Sequence, residues 1–416
     1  MAERLKVVVL DDDPTGSQTV HGCPLLLRWD ADTLRRGLAH PSPLLFVLAN
    51  TRALDPAAAA ARTREICRAL RPALAEAQAG GAIAQWLLVS RGDSTLRGHF
   101  PLEPEVIAAE LGPFDAAFLV PAFLPGGRTT SGGVHYLHGQ PVHTTPFAAD
   151  RLFGYGTSDL PAWVAEKTAG RIPAATVQRI GLAALEGDPA HLRRRLAELQ
   201  GQPWVVVDAE HPQHLAVLGA AVRELTAAAA TAHWGRPRRF LFQSAASLLN
   251  GLVELPQQPQ DRAALAGLRR RGADGRPLPG LVLVGSHVPL ADAQLAELLR
   301  QPGCQRVELD VARLHRVLEG PAPAELLAAL ERAWLELLQA TLAAGHTPVL
   351  ATSRGELVCG SAAERRRLGL ALAGLMARLA AALAPQLGYL ISKGGITSHT
   401  LLADGLAVNR VELQGQ

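Results

Sequence analysis

The segment LKVVVLDDDPTGS (residues 5–17) runs through apolar residues without alternation and stops abruptly at three acids, a proline and a glycine. Short apolar runs that do not alternate are the pattern of strands buried on both faces. The pattern returns at LLFVLAN (44–50), WLLVS (86–90), AAFLV (116–120) and QPWVVVDA (202–209). Between the second and third runs, Pro56 to Ala79 predicts a helix, with proline at its start and Gly80-Gly81 at its close. A further helix is expected from about Pro212 to Ala230. Buried strands alternating with helices argue for an α/β sheet.

A second block of the same kind follows. LVLVGS (281–286), TPVLATS (347–353) and GYLISKGG (388–395) read as strands running into turns, with a last strand at 408–413. Helices are expected at 290–300, 322–344 and 362–384. Residues 251–280 include the polar, basic, turn-rich stretch PQQPQDRAALAGLRRRGADGRPLPG (256–280), which reads as a linker or surface excursion. The expected architecture is therefore two α/β domains, 1–250 and 281–416, with a ligand cleft between them.

Composition narrows the function classes. The chain has 416 residues, 48% of them hydrophobic, too apolar for extended disorder. Its formal net charge of +3 lacks the concentrated excess that nucleic acid binding needs. Cys23, Cys67, Cys304 and Cys359 form no CxxC pair or disulfide framework. Acids follow the first apolar run too early for an export signal, and the apolar stretch 368–390 carries Arg378 and Pro385, a poor membrane span. The expectation is a soluble cytoplasmic protein with small-molecule partners, bound to neither nucleic acid nor membrane. A homodimer is left open.

Ligands of open α/β sheets bind at the carboxyl ends of the strands. DDDPTGS (11–17), SRGDSTLRGH (90–99), GS (285–286) and SKGGITSHT (392–400) all fall at such ends. Adjacent carboxylates repel one another unless a cation, a basic partner or solvent relieves them. Asp12, Asp13 and Thr15 are thus candidates to hold substrate hydroxyls or a cation, and Gly16 permits close backbone approach. The second segment supplies Arg91, Asp93, Ser94 and Arg97, and PGGRTTSGGVHY (125–136) adds Arg128. Arginine offers a planar fork suited to carboxylate or phosphate. His135, His138 and His143 are spaced too loosely to assign a metal site. Lys6, Lys167 and Lys393 are the only lysines, which singles out Lys393 beside Gly394, Gly395 and Thr397 as a phosphate-facing turn, with Ser286 a weaker companion.

Two chemistries fit these residues. One is phosphoryl transfer from a nucleotide to a hydroxyl held by the carboxylate and arginine groups, with Mg2+ on the nucleotide phosphates. The other places Asp11 as the nucleophile and Asp13 as the acid/base of an aspartyl phosphatase, a layout that resembles the haloacid-dehalogenase motif. That match is local, because the later lysine and paired-acid motif are lacking.

Taken in order, several segments resemble the four-carbon acid sugar kinase family. The family's DD-x-TG matches Asp12, Asp13, Thr15 and Gly16, and its KxDSTLRG matches Arg91 to Gly98. Its GRTT matches Gly127 to Thr130, its GS followed by glutamine matches Gly285, Ser286 and Gln294, and its KxGG-type turn matches Lys393 to Ser398. The resemblance implies an N-terminal domain that binds an acid sugar and a C-terminal domain that binds ATP with Mg2+, the product being phosphorylated at its terminal hydroxyl. It implies Asp12, Asp13, Arg91, Asp93, Ser94, Arg97 and Arg128 on the sugar side. Ser286, Gly394, Gly395 and Thr397 fall on the nucleotide side. Asp12 or Asp13 is the expected hydroxyl-positioning group. Arg91 stands where the family commonly carries lysine. Family members continue past a segment like the terminal VELQGQ, so the resemblance implies a second domain incomplete at its C-terminus, and a non-catalytic sugar-binding relative is the alternative.

Overall fold

In the computed structural model the first run forms β1 (Leu5–Asp11), followed by β2 (Cys23–Leu26), β3 (Leu44–Leu48), β4 (Gln85–Arg91) and β5 (Ala116–Val120). A small antiparallel sheet of β6 (Arg128–Ser131), β7 (Val134–Leu137) and β8 (Gln140–Pro141) comes next. It is followed by β9 (Gln178–Ile180), β10 (Trp204–Val207) and β11 (Phe240–Ser244). The second block supplies β12 (Gly280–Val284), β13 (Cys304–Leu309), β14 (Thr347–Thr352) and β15 (Tyr389–Lys393), and β16 (Arg410–Leu413) closes the chain. The structure describes residues 4–17, 19–255, 261–286, 289–354 and 360–415. Cys359 and residues 256–260, named in the sequence reading, lie outside them.

Contacts divide the chain into two units, Met1–Pro259 with Asn409–Gln416, and Gln260–Val408. The first is built on a sheet ordered β16-β2-β3-β1-β4-β11-β5-β10-β9, parallel throughout except for β16. Its central strands are buried on both faces, as their unbroken apolar runs require: Val7, Val8, Val9, Phe46 and Leu88 are all fully enclosed. One face packs Val8, Leu45 and Leu88 against Ile66, Leu70 and Leu34 of the helices Pro56–Ala79 and Ala31–Ala39. Further along the same face, Leu119 and Val206 pack with Trp163 and Val164. The helix at 56–79 has the limits its sequence predicts, because Asp55 caps it by accepting from the Ala58 N–H at 2.9 Å and Pro56 supplies a pre-set φ.

The second unit is a parallel sheet ordered β13-β14-β12-β15. The helix Ala362–Leu383 overlaps a stretch, Arg367–Gln386, that is long and apolar enough to cross a membrane by length and composition alone. Here its Leu368, Leu375, Met376, Leu379 and Leu383 join the core of this unit.

Two assignments differ from the sequence reading. Residues 261–280 are part of the second unit and not a linker. The Arg270 N–H donates to the Gly388 carbonyl at 3.0 Å, and the Arg270 side chain donates to the carbonyls of Ala384 and Leu387. Residues 251–255 stay with the first unit, at the end of the helix Ser247–Leu252. The strand at 410–413 is the edge of the first sheet, antiparallel to β2, with Leu25 opposite Val411. It covers a row of backbone groups that would otherwise form an open edge. Strand propensity is visible in a sequence; which edge a strand joins is not.

Candidate active site

β1 sits where the first sheet reverses its order. From β3 the chain crosses through the helix Pro56–Ala79 to β4, on the opposite side of β1. At such a switch point the connections diverge and leave a crevice at the carboxyl edge. Backbone bonds lock that edge together. The Asp12 N–H donates to the Arg91 carbonyl at 3.1 Å, and the Ala49 and Asn50 N–H groups donate to the Asp11 carbonyl at 2.9 and 3.1 Å. The Arg52 N–H reaches the Asp12 carbonyl at 3.1 Å.

The three consecutive acids meet three different environments. Asp11 is fully buried, and burial pushes its carboxyl up to about 7, with Arg91 Nη1 at 3.7 Å opposing the shift. A Cβ on Gly16 would lie 2.0 Å from Asp11 Oδ1, so Gly16 is required by close packing against this carboxylate. That enclosure leaves Asp11 no approach to a phosphorus atom and removes it as a nucleophile. Asp12 is 2% exposed and is held by Arg52 through Nε to Oδ2 at 2.9 Å and Nη2 to Oδ1 at 2.6 Å. Burial raises the Asp12 carboxyl, and the fork offsets part of that effect. Asp13 is more open and accepts from the Thr15 N–H at 2.8 Å and the Thr15 hydroxyl, with Arg52 Nη1 at 3.4 Å.

The 91–99 segment turns tightly above β4. Leu96 takes φ 64, a left-handed conformation costly for a branched side chain, while its side chain anchors in the core beside Leu119 and Trp163. This strain aims Asp93 and Arg97 at each other, Nε to Oδ2 at 2.8 Å. Burial works against the Asp93 charge, but Arg52, Arg97 and Thr95 outweigh it and hold the carboxyl below its ordinary range. Ser94 is buried, and its carbonyl accepts from His135 Nε2 at 2.8 Å. Arg91 is also buried: Nη1 lies 3.8 Å from Asp12, and Nε has no partner among the described residues. Its fork is directed at the chain's own acids.

Arg128 lies near enough to Asp93 and Arg97 to feel both charges, and burial lowers its basicity. Its Nη1 donates to the Gly126 carbonyl at 2.6 Å. The nearby histidines diverge. His135 is enclosed, accepts from Thr130 at 2.9 Å, and is pushed down to about 4 by burial. His138 packs over Gly127, and His143 bonds Ser158 at 2.7 Å.

A narrow cavity at this edge is lined by Asp12, Asp93, Arg97, Glu103, Trp163 and Gln243, among others. Three polar residues here, Arg52, Glu103 and Gln243, escaped the sequence reading. Arg52 follows the second apolar run by two residues and bridges Asp12, Asp13 and Asp93. His99 holds its turn in place by donating from Nε2 to the Thr51 and Leu54 carbonyls, each at 3.1 Å. Glu103 is buried, accepts from the Thr51 hydroxyl, and is pushed up to about 8 by burial and then by Asp12. Nothing in the sequence sets it apart from Glu105 and Glu110 of the same helix, Leu102–Leu111. Gln243 is reached only through the unpredicted strand β11.

In the second unit, Ser286, Lys393, Gly394, Gly395 and Thr397 gather at the carboxyl ends of β12 and β15. The Gly285 N–H donates to the Lys393 carbonyl at 3.2 Å, and a Cβ on Gly285 would lie 2.4 Å from Thr397 Oγ1. Gly394 has φ 117, which favours glycine, and the Ser286 side chain lies beside it. Arg354, absent from the sequence reading, donates to the Ser286 carbonyl and to Asp292, each at 2.8 Å.

Comparison with known proteins assigns both units. Residues 7–252 match a sugar-binding N-terminal domain, and residues 281–416 match a nucleotide-binding C-terminal domain. A D-threonate kinase of Cupriavidus necator is 37% identical over 153 residues, 36% of this chain and 34% of the relative. A D-erythronate kinase of Heliobacterium modesticaldum is 28% identical over 194 residues, covering 43% and 41% of the two chains. A D-threonate kinase of Salmonella typhimurium is 29% identical over 273 residues, covering 64% and 54%. The matches thus span well under two thirds of these relatives' lengths. Two solved structures share the fold. One, from Salmonella typhimurium LT2 and described provisionally as a tRNA synthase, has a TM-score of 0.67 at 18% identity over 97% of this chain and 89% of that one. The other, from Haemophilus influenzae, has a TM-score of 0.57 at 16% identity over 97% and 90%.

Proposed function

The chain belongs to the four-carbon acid sugar kinase family, and on that premise we propose that it transfers a phosphoryl group from ATP to the terminal hydroxyl of a four-carbon acid sugar. The observation that carries this reading is the cavity in the first unit, where carboxylates able to receive hydroxyls lie beside the side chain of Arg97. A substrate carboxylate would be repelled by Asp12 and Asp93 and attracted to Arg97 and Arg128, which fixes the hydroxyl end towards the acids. Asp12, which lines the cavity, would align the reacting hydroxyl and take its proton. Asp13 and Arg52 would hold Asp12 in that orientation, with Thr15 steadying Asp13. Asp93 would position Arg97, while Arg91 and Ser94 would shape the floor of the site.

Ser286, Lys393, Gly394, Gly395 and Thr397 would hold the nucleotide, the glycines admitting phosphate close to the backbone and Lys393 adding a point charge. Mg2+ would arrive with the nucleotide and neutralise charge on its phosphates. The names of the matched relatives support D-threonate or D-erythronate as the first substrates to test. Incubated with ATP, Mg2+ and these acids, the protein is expected to release ADP with at least one of them. Measurable acid binding with no ADP formed would overturn the kinase reading in favour of a binding protein.

A further inference from the structure

Gln243 stands at the carboxyl end of β11, opposite Ser90 of β4 and Leu119 of β5, and its side chain lines the same cavity as Asp12 and Asp93. Its Oε1 is buried and has no hydrogen-bond partner among the described residues. Leaving a buried amide oxygen unpaired is costly, so such a group marks a place where a ligand restores the bond. The fit around it is close. A Cβ on Gly92 would lie 2.5 Å from Gln243 Nε2, so glycine at 92 is what leaves the amide its room.

The cavity's other polar groups explain why a neutral amide is useful here. Asp12 and Asp93 offer acceptors, and Arg97 offers donors. A hydroxyl inside the chain of a sugar acid both donates and accepts. An amide can answer either way, since a half-turn of its end exchanges oxygen and nitrogen. We propose that Gln243 is a specificity-determining residue that reads an inner hydroxyl of the acceptor substrate, next to the terminal hydroxyl aligned at Asp12. This rests on the acid sugar kinase reading. It adds a discrimination that charge alone does not supply, because a carboxylate and a terminal hydroxyl are common to many short acids. A site built to bond a hydroxyl rejects the analogue that lacks it, since the protein's own polar group is then left unpaired.

The test compares wild type with Gln243→Met, which keeps length and removes both polar atoms. Each is assayed with D-threonate, D-erythronate and 4-hydroxybutyrate, which retains the carboxylate and terminal hydroxyl but has no inner hydroxyls. Where turnover is slow, the competitive inhibition constant is measured. The variant is expected to lose about 10- to 100-fold in kcat/KM on the hydroxylated acid and less than about 2-fold on 4-hydroxybutyrate. The ratio comes from one preparation, so partial misfolding cancels. Equal losses on both acids, or no loss, would overturn the assignment while leaving the kinase reading intact. Wild-type protein that turns over none of the acids would overturn that reading, and this inference with it.

Discussion

Arg52 grips Asp12 with two parallel hydrogen bonds, Nε to Oδ2 at 2.9 Å and Nη2 to Oδ1 at 2.6 Å, while its Nη1 reaches towards Asp13 at 3.4 Å and Asp93 at 3.8 Å. One guanidinium, carried on the turn after β3, thereby ties carboxylates from the loops after β1 and β4. It is the group that relieves the repulsion written into the DDD run, together with the buried Arg91.

Removing Arg52 should therefore be destabilising beyond the loss of its own contacts. Arg52→Met leaves Asp12 buried without its fork, and a loss of about 3–5 kcal/mol in unfolding free energy is expected. Arg52→Lys should fold better than the methionine variant yet bind the acid sugar more weakly than wild type, because a point charge cannot hold both oxygens of Asp12. Urea unfolding and acid-sugar titration check the two. A loss below about 1 kcal/mol for Arg52→Met would mean the acids are relieved elsewhere.

Glu103 predicts a pH dependence of stability with a definite sign. In the folded protein burial keeps its carboxyl protonated up to about 8, whereas the unfolded chain loses that proton near an ordinary value of about 4.3. The folded state binds more protons through this window, so stability falls as pH rises from about 4.3 to 8. Asp11, raised to about 7, adds a slope of the same sign over its own lower window. Glu103→Gln removes the Glu103 share together with its repulsion of Asp12 and Asp11. The unfolding free energy of the variant minus that of wild type should rise steadily between pH 5 and 8 and level off above. A difference that does not change with pH would show that Glu103 is ionised.

Gly285 offers a test confined to the second unit. A methyl group there would meet Thr397 Oγ1 at 2.4 Å and push apart the turns after β12 and β15. Gly285→Ala is expected to raise the KM for ATP by about 10-fold, equivalent to about 1.4 kcal/mol, with acid-sugar binding unchanged. Calorimetric titration with nucleotide and with acid sugar separates the two effects. An unchanged nucleotide affinity would place the nucleotide away from this turn.

Much of the candidate site was legible because its residues lie at the ends of unbroken apolar runs. Asp12, Asp13, Asp93 and Arg97 announce themselves as polar clusters where a strand must stop, and a parallel sheet brings such ends to one edge. Arg52, Glu103 and Gln243 were not legible for separate reasons. Arg52 is one arginine in an arginine-rich chain, Glu103 reads as a helix-surface acid until the packing buries it, and Gln243 lies in the short strand FLFQS, which the sequence reading did not assign.

The sequence by itself determined the element types and the α/β class, because periodicity and turn residues are local properties. It also carried the ordered motifs that identify the family. Tertiary structure alone decided strand order, and with it the pairing of β16 with β2 and the meeting of Arg52 with Asp12 across 40 positions. It decided as well which of three adjacent aspartates is buried, which is gripped and which is half open. Those outcomes depend on desolvation and on distances between residues remote in the chain, quantities that exist only once the sheet has formed.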